Sequence, residues 1–143
     1  MNQTASAFIK SHEGCKLTAY QDLGGVWTCG WGSTGPDIAK GTVWTQKQAD
    51  FRLELDLGKI ELAVGKLLNK TLSEQSLAAL DSFAYNLGHG ALASSHLLKC
   101  VNSGDYIGAA KAFLAWDHVG KAEVKGLLIR RLEEAALFLK GVK

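Results

Sequence analysis

The chain has 143 residues, enough for one domain with its own core and no need of metal or disulfide staples. Hydrophobic residues make up 47% and charged residues 21%, which excludes a disordered tail, a collagen-like chain and a coiled coil. Sixteen basic and 14 acidic residues leave a net charge of +2, too balanced for a nucleic-acid binder, which shows a basic stripe.

No apolar run reaches the roughly 18 residues of a membrane span. The N-terminal stretch turns polar after Phe8 and Ile9, so neither a signal peptide nor membrane insertion is expected. Cys15, Cys29 and Cys100 form no CxxC pattern, and an odd count without a secretion signal reads as reduced thiols.

The chain divides near residue 44. The expectation is a single unit over 1–143, with a helix plus β lobe over about 1–44 and a helical lobe over about 45–143. The first element is a helix over 3–12, with Ala5, Phe8, Ile9 and His12 on one face, stopping at Glu13-Gly14. Short strands follow at 16–20 and 26–31, joined by a turn at Leu23-Gly24-Gly25. Glycines and Pro36 make 30–41 a loop.

Thr45 then opens a long helix, with Gln48 completing a capping box and Ala49, Leu53, Leu57, Ile60, Val64 and Leu67 as its inward stripe. Ser73 caps the next helix, which ends at Gly88 and Gly90. Further helices are expected at about 91–102, 105–116 and 126–140, the last with Leu128, Leu132, Ala135 and Leu139 inward. The fold class is α+β, with a ligand cleft between two unequal lobes.

Three residues before position 30 are candidates for chemistry. Glu13 ends a helix, where the dipole disfavours negative charge, a setting that suits a general acid. Asp22 lies at the hairpin turn and Thr28 on the returning strand. Each alone reads as ordinary: a surface glutamate, a turn aspartate, a strand threonine. Together they place two carboxyls and a hydroxyl around one site, the parts needed to cleave a glycosidic bond.

Other chemistries fit less well. His12, His89, His96 and His118 are scattered, so neither a metal nor another cofactor is expected. Nothing marks Cys15 or Cys100 as an activated nucleophile. The glycines of Gly30–Gly35 have neither dinucleotide nor P-loop spacing.

Glu13-x8-Asp22-x5-Thr28, within EGCKLTAYQDLGGVWTCGWGSTGPD, resembles the motif of phage-type lysozymes, the endolysins of glycoside hydrolase family 24. SFAYNLGHGAL (82–92), and AAKAFLAWDHVG with KGLLIRRLEEAALF (109–138), are similar to that family's later motifs. The resemblance implies a two-lobed lysozyme that cuts the β-1,4 bond between N-acetylmuramic acid and N-acetylglucosamine in peptidoglycan and so lyses bacteria. It makes Glu13 the acid, with Asp22 and Thr28 completing a triad. Gly32, Thr34, Tyr85 and Asn86 fall on the family's cleft wall. It also implies cytoplasmic storage until a holin opens the membrane, and action as a monomer.

Two rival readings are a glycan-binding module of the same fold without activity and a lytic transglycosylase. Two departures stand out. Ser33 replaces a histidine common in the family, a change expected to touch local stability rather than chemistry. Cys29 replaces an aliphatic residue, which raises a Cys15–Cys29 disulfide as an alternative to free thiols. Trp116 reads as lobe packing, while Trp27 and Trp31 alternate around Cys29 and share a face, from which one of them is expected to border the cleft. Arg130 and Arg131 read as solvating or salt-bridging the last helix.

Overall fold

A computed structural model describes residues 2–116, 118–119, 122–123 and 125–142. Helix α1 spans Gln3–His12 and is capped by Asn2, whose side-chain oxygen accepts from the Ala5 N–H at 3.0 Å. It stops at Glu13, whose N–H still reaches the Ile9 carbonyl at 2.8 Å while its own backbone is extended.

The chain then enters an antiparallel pair, β1 (Lys16–Gln21) and β2 (Trp27–Gly30). Asp22 shapes the connection. Its Oδ1 accepts from the N–H groups of Gly24 at 2.8 Å and Val26 at 2.9 Å, the side-chain turn that aspartate favours.

Seven helices are described in all. After α1 come α2 (Gln46–Leu67), α3 (Glu74–Leu87), α4 (His89–Ala93), α5 (His96–Ser103), α6 (Tyr106–Phe113) and α7 (Lys125–Lys140). A second two-stranded sheet, β3 (His118–Val119) with β4 (Ala122–Glu123), precedes α7. The fold is thus mixed α+β. The capping box at Thr45 and Gln48 forms, and Ser73 caps α3 through the Ser76 N–H.

Two expected helices differ. The segment 91–102 holds two, because Ser95 interrupts it and caps α5 by accepting from the Leu98 N–H. In α7 the inward face is not the leucine stripe. Leu132 and Leu139 are 47% and 37% exposed, whereas Arg130, Arg131, Glu134, Ala135 and Phe138 are buried. A helix whose buried face carries charge defeats a reading based on apolar spacing.

One core joins α3, α5, α6 and α7. Phe83, Phe113 and Phe138 meet there, and Trp116 stands edge-on to Phe83 at 5.5 Å, so this tryptophan packs the lobe. A second, smaller core of Ala5, Ile9, Leu53, Leu57 and Ala78 fastens α1 onto α2 and α3. That attachment fixes where the end of α1, and therefore Glu13, points.

Candidate active site

Glu13 is partly exposed, and its Oε1 accepts from Arg130 Nη1 at 2.6 Å. Arg130 and Arg131 are thus salt-bridged, but inside the protein rather than on its surface: they are 4% and 0% exposed. The fully buried carboxylate of Glu134 lies between them. It meets Arg130 Nε at 3.5 Å and Arg131 Nε at 2.6 Å, and it accepts from the Ser82 hydroxyl at 2.5 Å.

Burial pushes the Glu134 carboxyl above its ordinary range, against the pull of Arg131, Ser82 and Arg130. The network leaves this buried cluster at two points. Arg130 leads to Glu13, and Arg131 Nη2 donates to Asn86 Oδ1 at 2.9 Å. Helix α7 therefore aims two separate side chains at one place.

That place is a cavity of about 260 Å³. Glu13, Asp22 and Thr28 line it, and so do Gly32, Thr34, Tyr85 and Asn86. Every site residue expected from sequence is brought together there, and Tyr20 joins them. Thr28 is 4% exposed, and its hydroxyl donates to the Val26 carbonyl at 3.0 Å. With its one proton spent, the oxygen is left as an acceptor. Asp22 holds the hairpin with Oδ1, so its other oxygen is outside those turn bonds.

Gly32 has φ +94°, and a Cβ there would lie 3.1 Å from Glu13 Oε2. The missing side chain lets the loop close on the carboxyl. Tyr85 donates its phenol to the Trp31 carbonyl at 2.6 Å. Burial, together with the charges of Asp56 and Glu13, pushes that phenol well above its usual pKa and keeps it a donor.

A second cavity, about 320 Å³, shares Gly32, Thr34 and Tyr85 with the first and adds Asp56, Lys59 and His89. The two together form an extended groove. Another cavity, about 350 Å³, lies apart at the start of α3 beside Tyr106 and Gly141, and none of the expected site residues lines it.

Ser33 is 2% exposed and donates to Asp56 Oδ2 at 2.7 Å. Arg52 reinforces the same loop by bonding Asp56, Asp37 and the Thr34 carbonyl. Ser33 thus ties the glycine loop to α2. The three cysteines are free; Cys29 Sγ faces the carbonyls of Lys16 and Leu17, while Cys15 meets Gln46. Among the described residues no three His, Cys, Asp or Glu side chains cluster as a metal site, and no helix is long and apolar enough to cross a membrane.

Sequence reasoning missed the part played by Arg130, Arg131 and Glu134. The signal was the i,i+4 and i,i+3 spacing of arginines to Glu134, which most often marks a solvated helix face.

The chain is similar to the endolysin of Bacillus phage B103, with 37% identity over 143 residues, covering 99% of this chain and 54% of the phage protein. It therefore spans about half the length of that relative. The endolysin of Salmonella phage P22 is 38% identical over 135 residues, 92% of each chain. Among solved structures, the muramidase domain of SpmX from Asticaccaulis excentricus superposes with a TM-score of 0.88 at 33% identity, covering 96% of this chain and 95% of that one. The phage lysozyme model matches residues 10–134, a span that holds the whole lining of the 260 Å³ cavity, and by these matches the chain belongs to the phage lysozyme family.

Proposed function

We propose that this chain is a peptidoglycan hydrolase that cleaves the β-1,4 bond between N-acetylmuramic acid and N-acetylglucosamine. One observation carries the reading: Glu13, Asp22 and Thr28 line one cavity, and a second cavity shares its Gly32, Thr34 and Tyr85 wall. The curated relatives are named endolysins, and the SpmX domain a muramidase. The chain acts as one lysozyme-like unit over 1–143.

Glu13 is the general acid. Arg130 holds Oε1, so the transferable proton belongs on Oε2, which faces the bare Cα of Gly32. The acid delivers that proton to the bridging oxygen as the bond to the anomeric carbon breaks. Asp22 steadies the positive charge that develops on the sugar. Thr28, its own proton committed to Val26, accepts a hydrogen bond from water and orients it for attack. Gly32, Thr34, Tyr85 and Asn86 form the wall against which the sugar rests, and the Tyr85 phenol and the Asn86 amide are its polar contacts.

Product analysis on purified peptidoglycan tests this. Reducing muramic acid ends are expected from the wild type. Glu13→Gln is expected to abolish them, since an acid's contribution alone is roughly 10²–10⁴ in rate, and Asp22→Asn and Thr28→Ala to lose most turnover while staying folded. Anhydro ends would assign a transglycosylase instead. An intact polymer would assign a binding module.

A further inference from the structure

The aromatic residue of the glycine loop acts from behind the cleft. Trp31, one of the two tryptophans expected beside it, lines neither cavity. Its ring packs against the small core that carries α1. It stands between Gly30 and Gly32, whose φ angles are +67° and +94°. Glycines on both sides relieve the backbone there of its usual steric limits, so the position of Gly32 has to be imposed from outside.

Trp31 imposes it by two bonds. Its carbonyl accepts from the Tyr85 phenol at 2.6 Å, which ties the loop to α3. Its indole Nε1 donates to Asp50 Oδ1 at 2.7 Å, which ties the loop to α2. Asp50 is braced in turn. The same oxygen accepts from Gln46 Nε2 at 2.9 Å, and Lys10 Nζ lies 3.9 Å from it and 5.5 Å from the centre of the Trp31 ring. Lys10 is on α1, three residues before Glu13. The indole bond first, and then the Gln46 bond, hold the Asp50 carboxyl below its ordinary range, so it stays an acceptor.

Gly32 is the residue whose position counts. Its bare Cα faces Glu13 Oε2, the oxygen assigned the transferable proton, and it lines both cavities. Ser33 secures the loop on one side of it, through Asp56. We propose that the indole bond to Asp50 secures it on the other side, and that Asp50, which lines neither cavity, is a positioning residue for the acid. The inference rests on the reading of Glu13 as that acid. With the indole bond gone, Trp31 can turn about its two glycines, and Gly32 no longer keeps one distance from the carboxyl. A displacement of about 1 Å at such a site costs up to about 10²-fold in rate.

Trp31→Phe keeps a ring and removes the N–H. Its turnover number on purified peptidoglycan should fall about 10-fold, with KM within about two-fold of the wild type. Asp50→Ala should fall equally, and the two together no further. Asp50→Asn, which can still accept from the indole, should keep most of the turnover. Near-ultraviolet circular dichroism checks that each variant is folded; should Trp31→Phe fail to fold, Asp50→Ala carries the test. Hydrogen exchange reads the loop without activity. The Ser33 amide donates to the Cys29 carbonyl at 2.9 Å. It should exchange at least several-fold faster in Trp31→Phe and Asp50→Ala, while the amides of α3 do not change. Unchanged exchange at Ser33 would overturn the proposal, as would full turnover in Trp31→Phe, a loss confined to KM, or additive losses in the double variant. No cleavage by the wild type would count against the proposed function instead, and the exchange rates would then decide the anchor alone.

Discussion

Arg130 and Glu13 are separated by 117 residues of sequence and by 2.6 Å in space. The arginine is almost wholly buried, and the same guanidinium bonds the Ser82 carbonyl and hydroxyl and borders Glu134. The orientation of the proposed acid is therefore set from the last helix, through a fork that spans several acceptors at once.

Arg130→Lys keeps the charge but not the fork. A single ammonium nitrogen does not reproduce the two separate nitrogens that bond Glu13 and Ser82. The turnover number should fall by about 10–100-fold, the scale of a misplaced catalytic group, with KM little changed. Arg130→Met should in addition lose about 3–5 kcal/mol, because Glu134 is left short of a counter-charge in the interior. Steady-state kinetics and urea denaturation separate the two effects. A folded Arg130→Lys with wild-type turnover would show that Glu13 needs no help from α7.

The N-terminal third of the site was legible from sequence because its signals are local. Glu13 follows from a helix stop, Asp22 from a turn, Thr28 from a returning strand, and short chain connections bring them together. Tyr85 and Asn86 entered through the resemblance alone; no local pattern says that α3 faces the hairpin. Arg131 and Glu134 were opaque for a different reason. Charged residues at helical spacing are read as a solvated face, and only tertiary packing turns that face inward. The four residues of β3 and β4 are too few to show a strand's alternation.

Gly32 supplies a second test. Its φ of +94° is strained for any other residue, and a Cβ would sit 3.1 Å from Glu13 Oε2. Gly41 has a similar φ of +90° with open space around it. Both Gly32→Ala and Gly41→Ala should cost about 1–2 kcal/mol of stability for the backbone alone. Only Gly32→Ala should also lose most of the activity. Equal activity in the two variants would mean that the loop does not need to approach the carboxyl.

The thiols should differ in reactivity. Cys29 is fully buried and Cys100 nearly so, and burial pushes the Cys29 thiol up, away from the reactive thiolate. Cys15 is half-buried beside Gln46. Titration of reduced native protein with an aromatic disulfide should show one fast thiol, and in denaturant three. Loss of the fast phase in Cys15→Ser identifies it; three fast thiols in native protein would contradict the packing of Cys29.

Asp81 gives the fold a pH dependence apart from the cleft. It is 2% exposed on α3, and among the described residues its Oδ1 has no hydrogen-bond partner. Burial, with the charge of Glu61 added, pushes its carboxyl from the ordinary 3.8 up to about 7. The folded protein thus binds this proton more tightly than the unfolded chain. Its contribution to stability is fully present below about pH 4 and is lost as pH rises through about 7. A shift of that size corresponds to a few kcal/mol, on the order of 1.4 per pKa unit. Asp81→Asn removes the ionisation at nearly constant volume. It should therefore raise the urea midpoint at pH 8 by the equivalent of about 1–3 kcal/mol and change it little at pH 4.5. The activity at each pH should follow the wild type once the folded fraction is allowed for, because Asp81 does not line the cleft. If the amide shifts the midpoint equally at both pH values, the aspartate is not titrating between them, and the buried carboxyl must be paired in solution.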